Sequence, residues 1–183
     1  EMCIRDRFTA ALMTVNIVQT GVGMTTMKVQ AQERSAATYT LVPDQAQTIS
    51  SQVTMGGNDS NNGYFTVTPA TDKTIVVDGS NKTAADKTKF TYRMKLGSTG
   101  NVEDGQNISF TTTNDYAKVT VYALSSTAAD STRPLVLAQS DATEVDRNTI
   151  DGSTLQAYTY YTAQAGTYYL YSCLLYTSDA ADE

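Results

Sequence analysis

Histidine and tryptophan are absent from the 183 residues, and cysteine and proline number only 2 and 3. Without histidine the chain lacks the commonest general base and metal ligand, and no Ser-His-Asp arrangement can form. Without tryptophan it lacks the strongest stacking platform. Basic residues are outnumbered, 13 Lys and Arg against 19 Asp and Glu, for a net charge of -6. Nucleic-acid binders carry a basic footprint, so that class is excluded. Uninterrupted apolar runs are short of the ~18 residues a membrane span needs, which argues against membrane insertion.

The two cysteines stand in unusual company. The chain opens EMCIRDR (Glu1 to Arg7) and closes CLLYTSDAADE (Cys173 to Glu183). The codons ATG TGT ATA AGA GAC encode Met2 to Asp6, and their reverse complement is GTCTCTTATACACAT. With a leading T that strand encodes Cys-Leu-Leu-Tyr-Thr followed by a T-initial codon, which matches Cys173 to Ser178. One DNA element thus flanks the reading frame as an inverted repeat, and it resembles the mosaic end of a sequencing transposon. Residues 1–7 and 173–183 are therefore set aside as adaptor, the first expected at the periphery. Cys173 to Tyr176 is expected to extend a sheet where a strand has been lost. Both cysteines fall in these segments, so no disulfide is inferred. Removing 2 basic and 5 acidic residues leaves 11 against 14, or -3.

Residues 8–31 begin with a moderately apolar stretch, FTAALMTVNIVQTGVGM, and end in VQA with Val29 and Ala31 at small-residue positions. This resembles a secretory signal without its basic start, so the protein is expected to be secreted, with a mature segment from Gln32. A buried first strand or helix is the competing reading. The mature segment, 32–172, fits one domain of ordinary size.

Within that segment the periodicity is that of strands. Phe90, Tyr92, Met94 and Leu96 alternate with Thr91, Arg93 and Lys95. Ile108 and Phe110 alternate with Ser109 and Thr111, and Ala117, Val119, Val121 and Ala123 with Lys118, Thr120 and Tyr122. Further strands are expected at 64–68, 74–77, 134–138, 155–162 and 167–172. Turn chemistry separates them: GGNDSNNG (Gly56 to Gly63), DGSNK (Asp78 to Lys82), GSTGN (Gly97 to Asn101) and DGS (Asp151 to Ser153). Short strands with one polar face predict an all-β, antiparallel β-sandwich of jelly-roll or immunoglobulin-like type.

Three groups of segments carry a resemblance: NGYFTV (Asn62 to Val67); KFTYRMKLG (Lys89 to Gly97) with ISFTT (Ile108 to Thr112); and AKVTVYALSS (Ala117 to Ser126) through RPLVLA (Arg133 to Ala138) to AGTYYLYS (Ala165 to Ser172). Together they resemble the non-catalytic β-sandwich module of secreted pectate lyases and other bacterial polysaccharide-degrading proteins. The resemblance implies a plant cell-wall polysaccharide as partner and a downstream catalytic domain in the full-length protein. It also implies one further strand after Ser172, so the sandwich is expected to lack its last strand.

Candidate site residues follow from chemistry and alternation. No catalytic residue is singled out, although scattered Asp and Glu leave a paired-carboxylate site open. Arg93 and Lys95 share the face opposite the apolar set and stand about 7 Å apart along a strand, a spacing that suits successive carboxylates of a polyuronate. A solubilising charged face is the plainer reading. Tyr160 and Tyr169 belong to late tyrosine pairs in which both members cannot face the core, so a sugar-stacking role competes with packing. Asp59 and Asp78 lie in oxygen-rich turns that could hold calcium, though Asx residues are also what turns require. No other cofactor is expected. The favoured function is a secreted accessory module that binds pectin-like polysaccharide. An immunoglobulin-like spacer of a surface adhesin is one alternative, and the N-terminal piece of a pectate lyase or esterase another.

Overall fold

The computed structural model describes residues 2–7, 12–18 and 26–32 as backbone, and 37–59, 61–113, 115–125 and 134–173 more fully. Every regular element among them is a strand. In chain order these are β1 (Met2–Arg7), β2 (Leu12–Val18), β3 (Thr26–Gln32), β4 (Thr40–Leu41), β5 (Gln47–Ile49), β6 (Val53–Asn58), β7 (Asn61–Thr68), β8 (Ile75–Thr83), β9 (Lys89–Lys95), β10 (Asn107–Thr112), β11 (Lys118–Ala123), β12 (Pro134–Gln139), β13 (Glu144–Thr149), β14 (Gln156–Tyr161) and β15 (Gly166–Ser172). All pairings are antiparallel.

One sheet of 13 strands curls over on itself in a β-sandwich. Its first layer runs β13-β12-β15-β10-β7-β6, and its second β14-β11-β1-β9-β8-β5, with β4 passing from β6 to β1. The layers close because alternate residues of each are apolar and share one cluster. Phe65, Val67, Ile108, Phe110, Leu137, Tyr168 and Leu170 come from the first layer. Ile75, Val77, Met94, Val119, Val121 and Tyr160 come from the second. The period-2 reading therefore holds: Phe90, Met94 and Leu96 are buried and Tyr92 half-buried.

A second, smaller cluster of Ala84, Phe90, Tyr122, Leu124 and Leu155 forms under the loop between β8 and β9. Asp86 on that loop accepts a 2.8 Å hydrogen bond from the Tyr122 hydroxyl. Gln106, 1% exposed, ties three segments between the layers. Its amide donates to the Leu96 and Thr74 carbonyls, and its oxygen accepts from the Ala70 amide at 2.9 Å.

Two turn expectations and one placement are corrected. GGNDSNNG is mostly strand: β6 runs through Gly56 to Asn58 and β7 resumes at Asn61. Gly56 adopts φ +66°, and a Cβ there would meet the Thr40 carbonyl at 2.6 Å, so glycine is what lets β4 lie against β6. DGSNK lies inside β8, where a register shift between Gly79 and Lys82 absorbs the turn chemistry as a bulge. Met2–Arg7, expected at the periphery, is a strand in the middle of the second layer. An extended segment can complete a sheet through backbone bonds alone, whatever its side chains.

The stretch read as an export signal, residues 8–31, contains β2 and all but the last residue of β3, which pair as a separate two-stranded sheet. Cys173 continues the edge of β15, donating to the Pro134 carbonyl at 3.0 Å, while the rest of the closing segment lies outside the described residues.

Candidate functional site

The sequence-derived candidates separate when placed in the fold. Tyr160 is 0% exposed; its ring fills the core and its hydroxyl donates to the Leu135 carbonyl at 2.9 Å, tying β14 to β12 across the sandwich. Burial also raises its phenol above the ordinary range. A ring with no open face cannot stack on a sugar, so Tyr160 is corrected from surface candidate to core residue. Tyr169 is half-buried on the outward side of β15, between Ser109 and Ala138 in the register.

Arg93 and Lys95 do share one side of β9, and both converge on Asp78 of the neighbouring β8. Arg93 reaches it in a forked pair, Nε to Oδ1 at 2.6 Å and Nη2 to Oδ2 at 3.2 Å. The Lys95 ammonium stands 2.7 Å from Oδ2. The cations are thus committed to an intramolecular carboxylate. Equally, Asp78 is held by two cations, which disfavours adding a third as a metal ion. Asp59 is exposed in the turn between β6 and β7, on the other layer, so the two aspartates do not form one site. Among the described residues no three His, Cys, Asp or Glu side chains group as a metal site.

The most exposed aromatic rings among the described residues are elsewhere. Tyr116 is 69% and Tyr161 63% exposed. Tyr161 ends β14 and stands directly across from Lys118, the first residue of β11. Directly opposed residues have Cβ atoms about 5 Å apart, so ring and ammonium stem share one rung of the outward face. The next rung on that face pairs Thr120 with Thr159. Tyr116 precedes β11 with φ 60°, a left-handed conformation that turns the chain just before the strand begins.

This corner is held from beneath. The Ala117 amide donates to the Thr162 hydroxyl at 3.0 Å, and the Thr162 amide donates back to the Ala117 carbonyl at 2.9 Å. Both residues are buried, at 2% and 1%. One step outward, Asp115 accepts from the Ala165 amide at 2.9 Å, pinning the turn between β14 and β15. The fold therefore presents two open tyrosine faces, one ammonium and two hydroxyls from a fixed backbone. By contrast, Tyr39 and Tyr64 stack on each other, with ring centroids 3.7 Å apart and planes 6° from parallel.

Sequence reasoning missed this site in part. The parity argument requires one of Tyr160 and Tyr161 to face outward, but only the pairing of Tyr160 with core Val119 decides which. Tyr116 lies outside any alternating run, and nothing local marks it.

No family model and no curated protein sequence matches this chain. Among the described residues no helix is long and apolar enough to cross a membrane.

Proposed function

We propose that the domain is a non-catalytic, secreted binding module for an acidic plant polysaccharide, and that the corner formed by Tyr116, Lys118 and Tyr161 is its contact surface. The observation that carries this reading is Tyr161, 63% exposed and directly across from Lys118, with Tyr116, 69% exposed, two residues before that lysine at a doubly hydrogen-bonded strand junction. An exposed phenol ring offers an apolar face for the C–H side of a pyranose and a polar tip for its hydroxyls. The Lys118 ammonium supplies a charge-assisted hydrogen bond to a uronate carboxylate. Thr120 and Thr159 extend the surface with hydroxyls that donate or accept.

A site of this size binds weakly, and its use lies in tethering. Linked to a catalytic domain, it raises that domain's effective concentration on an insoluble substrate. The resemblance to modules of secreted pectate lyases supports the same assignment and names pectin as the polymer class.

Calorimetric titration with oligogalacturonate, and in parallel with a neutral xylo-oligosaccharide, tests the reading. Binding of the acidic oligomer that weakens as salt screens Lys118 is expected. Heat from neither sugar would point to the spacer alternative, and equal heat from both would remove Lys118 from the account.

A further inference from the structure

Asn107 opens β10 at a position that faces away from the core, in step with Ser109 and Thr111 and out of step with buried Ile108 and Phe110. Ser109 is half-buried and Thr111 exposed, yet Asn107 is only 2% exposed. The loop from β9 to β10 covers it, held down where the Gly100 amide donates to the Ser172 carbonyl of β15 at 2.8 Å. Inside that loop the Asn107 side-chain nitrogen donates to the Asn101 carbonyl at 2.6 Å. The oxygen of the same amide is buried without a hydrogen-bond partner, as is the Ser98 hydroxyl oxygen of the same loop. A buried oxygen that accepts nothing marks a place where a partner belongs. Asn101 also fixes a carboxylate. The Asp104 amide donates to Asn101 Oδ1 at 2.6 Å, and Asn101 Nδ2 donates back to Asp104 Oδ2 at 2.7 Å. The turn is closed by the bridge between Asn101 and Gly105, and Gly105, at φ +100°, packs where a Cβ would stand 2.7 Å from the Pro69 carbonyl. One residue therefore ties the Asp104 carboxylate by its side chain and the Asn107 amide by its main chain. Glu103 is exposed on the same turn, and residues 97–107 contain no Lys or Arg.

The geometry points to a calcium site in the loop between β9 and β10, with the buried Asn107 oxygen and the Asp104 carboxylate as its fixed ligands and Glu103 supplying further negative charge. The donor set is all oxygen, which suits a hard cation. Calcium accepts amide, carbonyl and carboxylate oxygens in flexible geometry, whereas magnesium demands a near-ideal octahedron and gives up its waters reluctantly. A water molecule could donate to the Asn107 oxygen but brings no charge to offset two carboxylates. The loop carries the chain from the second layer to the first, so a cation bound there clamps the two layers at one end. It contains neither Asp59 nor Asp78, and it precedes β10 whereas Tyr116 follows it. The inference is therefore independent of the polysaccharide reading.

The test follows melting of the full chain, stripped by chelator, before and after addition of about 5 mM calcium, above the ~0.1–1 mM dissociation constants of calcium modules outside cells. A rise of several degrees with calcium, and a much smaller one with equal magnesium, is expected. Glu103→Gln with Asp104→Asn keeps the shape of two exposed side chains. Its melting temperature in chelator should stay near that of the unsubstituted chain, while its calcium response is lost. Asp59→Asn and Asp78→Asn, made separately, should keep the response. Asn107→Asp puts a full charge on the buried ligand, so it should melt lower in chelator and respond more strongly to calcium. Should Asn107→Asp fail to fold, the Glu103 and Asp104 substitutions decide alone. The inference is overturned by no calcium response from the unsubstituted chain, by an equal response to magnesium, or by a response that survives Glu103→Gln with Asp104→Asn. A response lost in Asp59→Asn or Asp78→Asn, or weakened in a folded Asn107→Asp, overturns it equally.

Discussion

Ala117 and Thr162 are joined by two hydrogen bonds in opposite senses, one from the Ala117 amide to the threonine hydroxyl and one from the Thr162 amide to the alanine carbonyl. The pair fixes where β11 begins and β14 ends, and hence where Tyr116, Lys118 and Tyr161 stand. Thr162→Val keeps the shape but strands the buried Ala117 amide, which costs about 1–3 kcal/mol. Chemical denaturation should report that loss, and titration should report weaker binding of oligogalacturonate by the folded variant.

Arg93→Ala separates the sequence-derived candidate from the corner. The ion pairs it makes are partly exposed, with Arg93 and Asp78 side chains 21% and 34% accessible. Its loss should lower stability by less than about 1 kcal/mol, and retention on polygalacturonate should stay unchanged, because Asp78 already engages both cations. Lost retention with an intact melting temperature would return the site to β9.

The pH response follows from four carboxyls held below their ordinary values of 3.8 for Asp and 4.5 for Glu. The Thr88 amide lowers Asp86, the Thr143 amide lowers Asp141, the Ser153 hydroxyl lowers Asp151, and a hydrogen bond from Arg147 lowers Glu144. A depressed folded value contributes stability that is fully present above the unfolded value and is lost as pH falls through the folded one. Urea midpoints should therefore be level from neutrality down to about pH 5 and then decline. At the other extreme, the Tyr160 phenol is raised by burial, so its contribution is whole below its ordinary value of 10.0 and is lost above it. Urea midpoints that rise on acidification would contradict these assignments.

How much of this was legible in the sequence depends on what each strand is made of. β7, β9, β10, β11, β14 and β15 alternate apolar with polar residues and were readable from period, while β12, PLVLAQ, reads as a short buried apolar run. β13, Glu144–Thr149, reads EVDRNT; it is an edge strand exposed along most of its length and is placed by pairing with β12. β6 carries Gly56 and Gly57, which read as a turn until the approach of β4 gives Gly56 its reason. β4 is two residues long and has no period to detect. The candidate site was legible only as parity, in that one ring of Tyr160 and Tyr161 must face out. Register with Val119 and the backbone turn at Tyr116 are tertiary facts. So is the convergence of Arg93 and Lys95 on Asp78, whose place in DGSNK resembles a loop and whose position in the fold is a bulged strand.

Affinity electrophoresis through polygalacturonate-loaded gels, comparing the unsubstituted chain with Tyr116→Ala plus Tyr161→Ala, probes the corner most directly. Both rings are mostly exposed, so the double variant should melt at nearly the unsubstituted temperature. Its mobility in the loaded gel should rise to match that in a polysaccharide-free gel. Retardation equal to that of the unsubstituted chain would contradict the assignment of this surface.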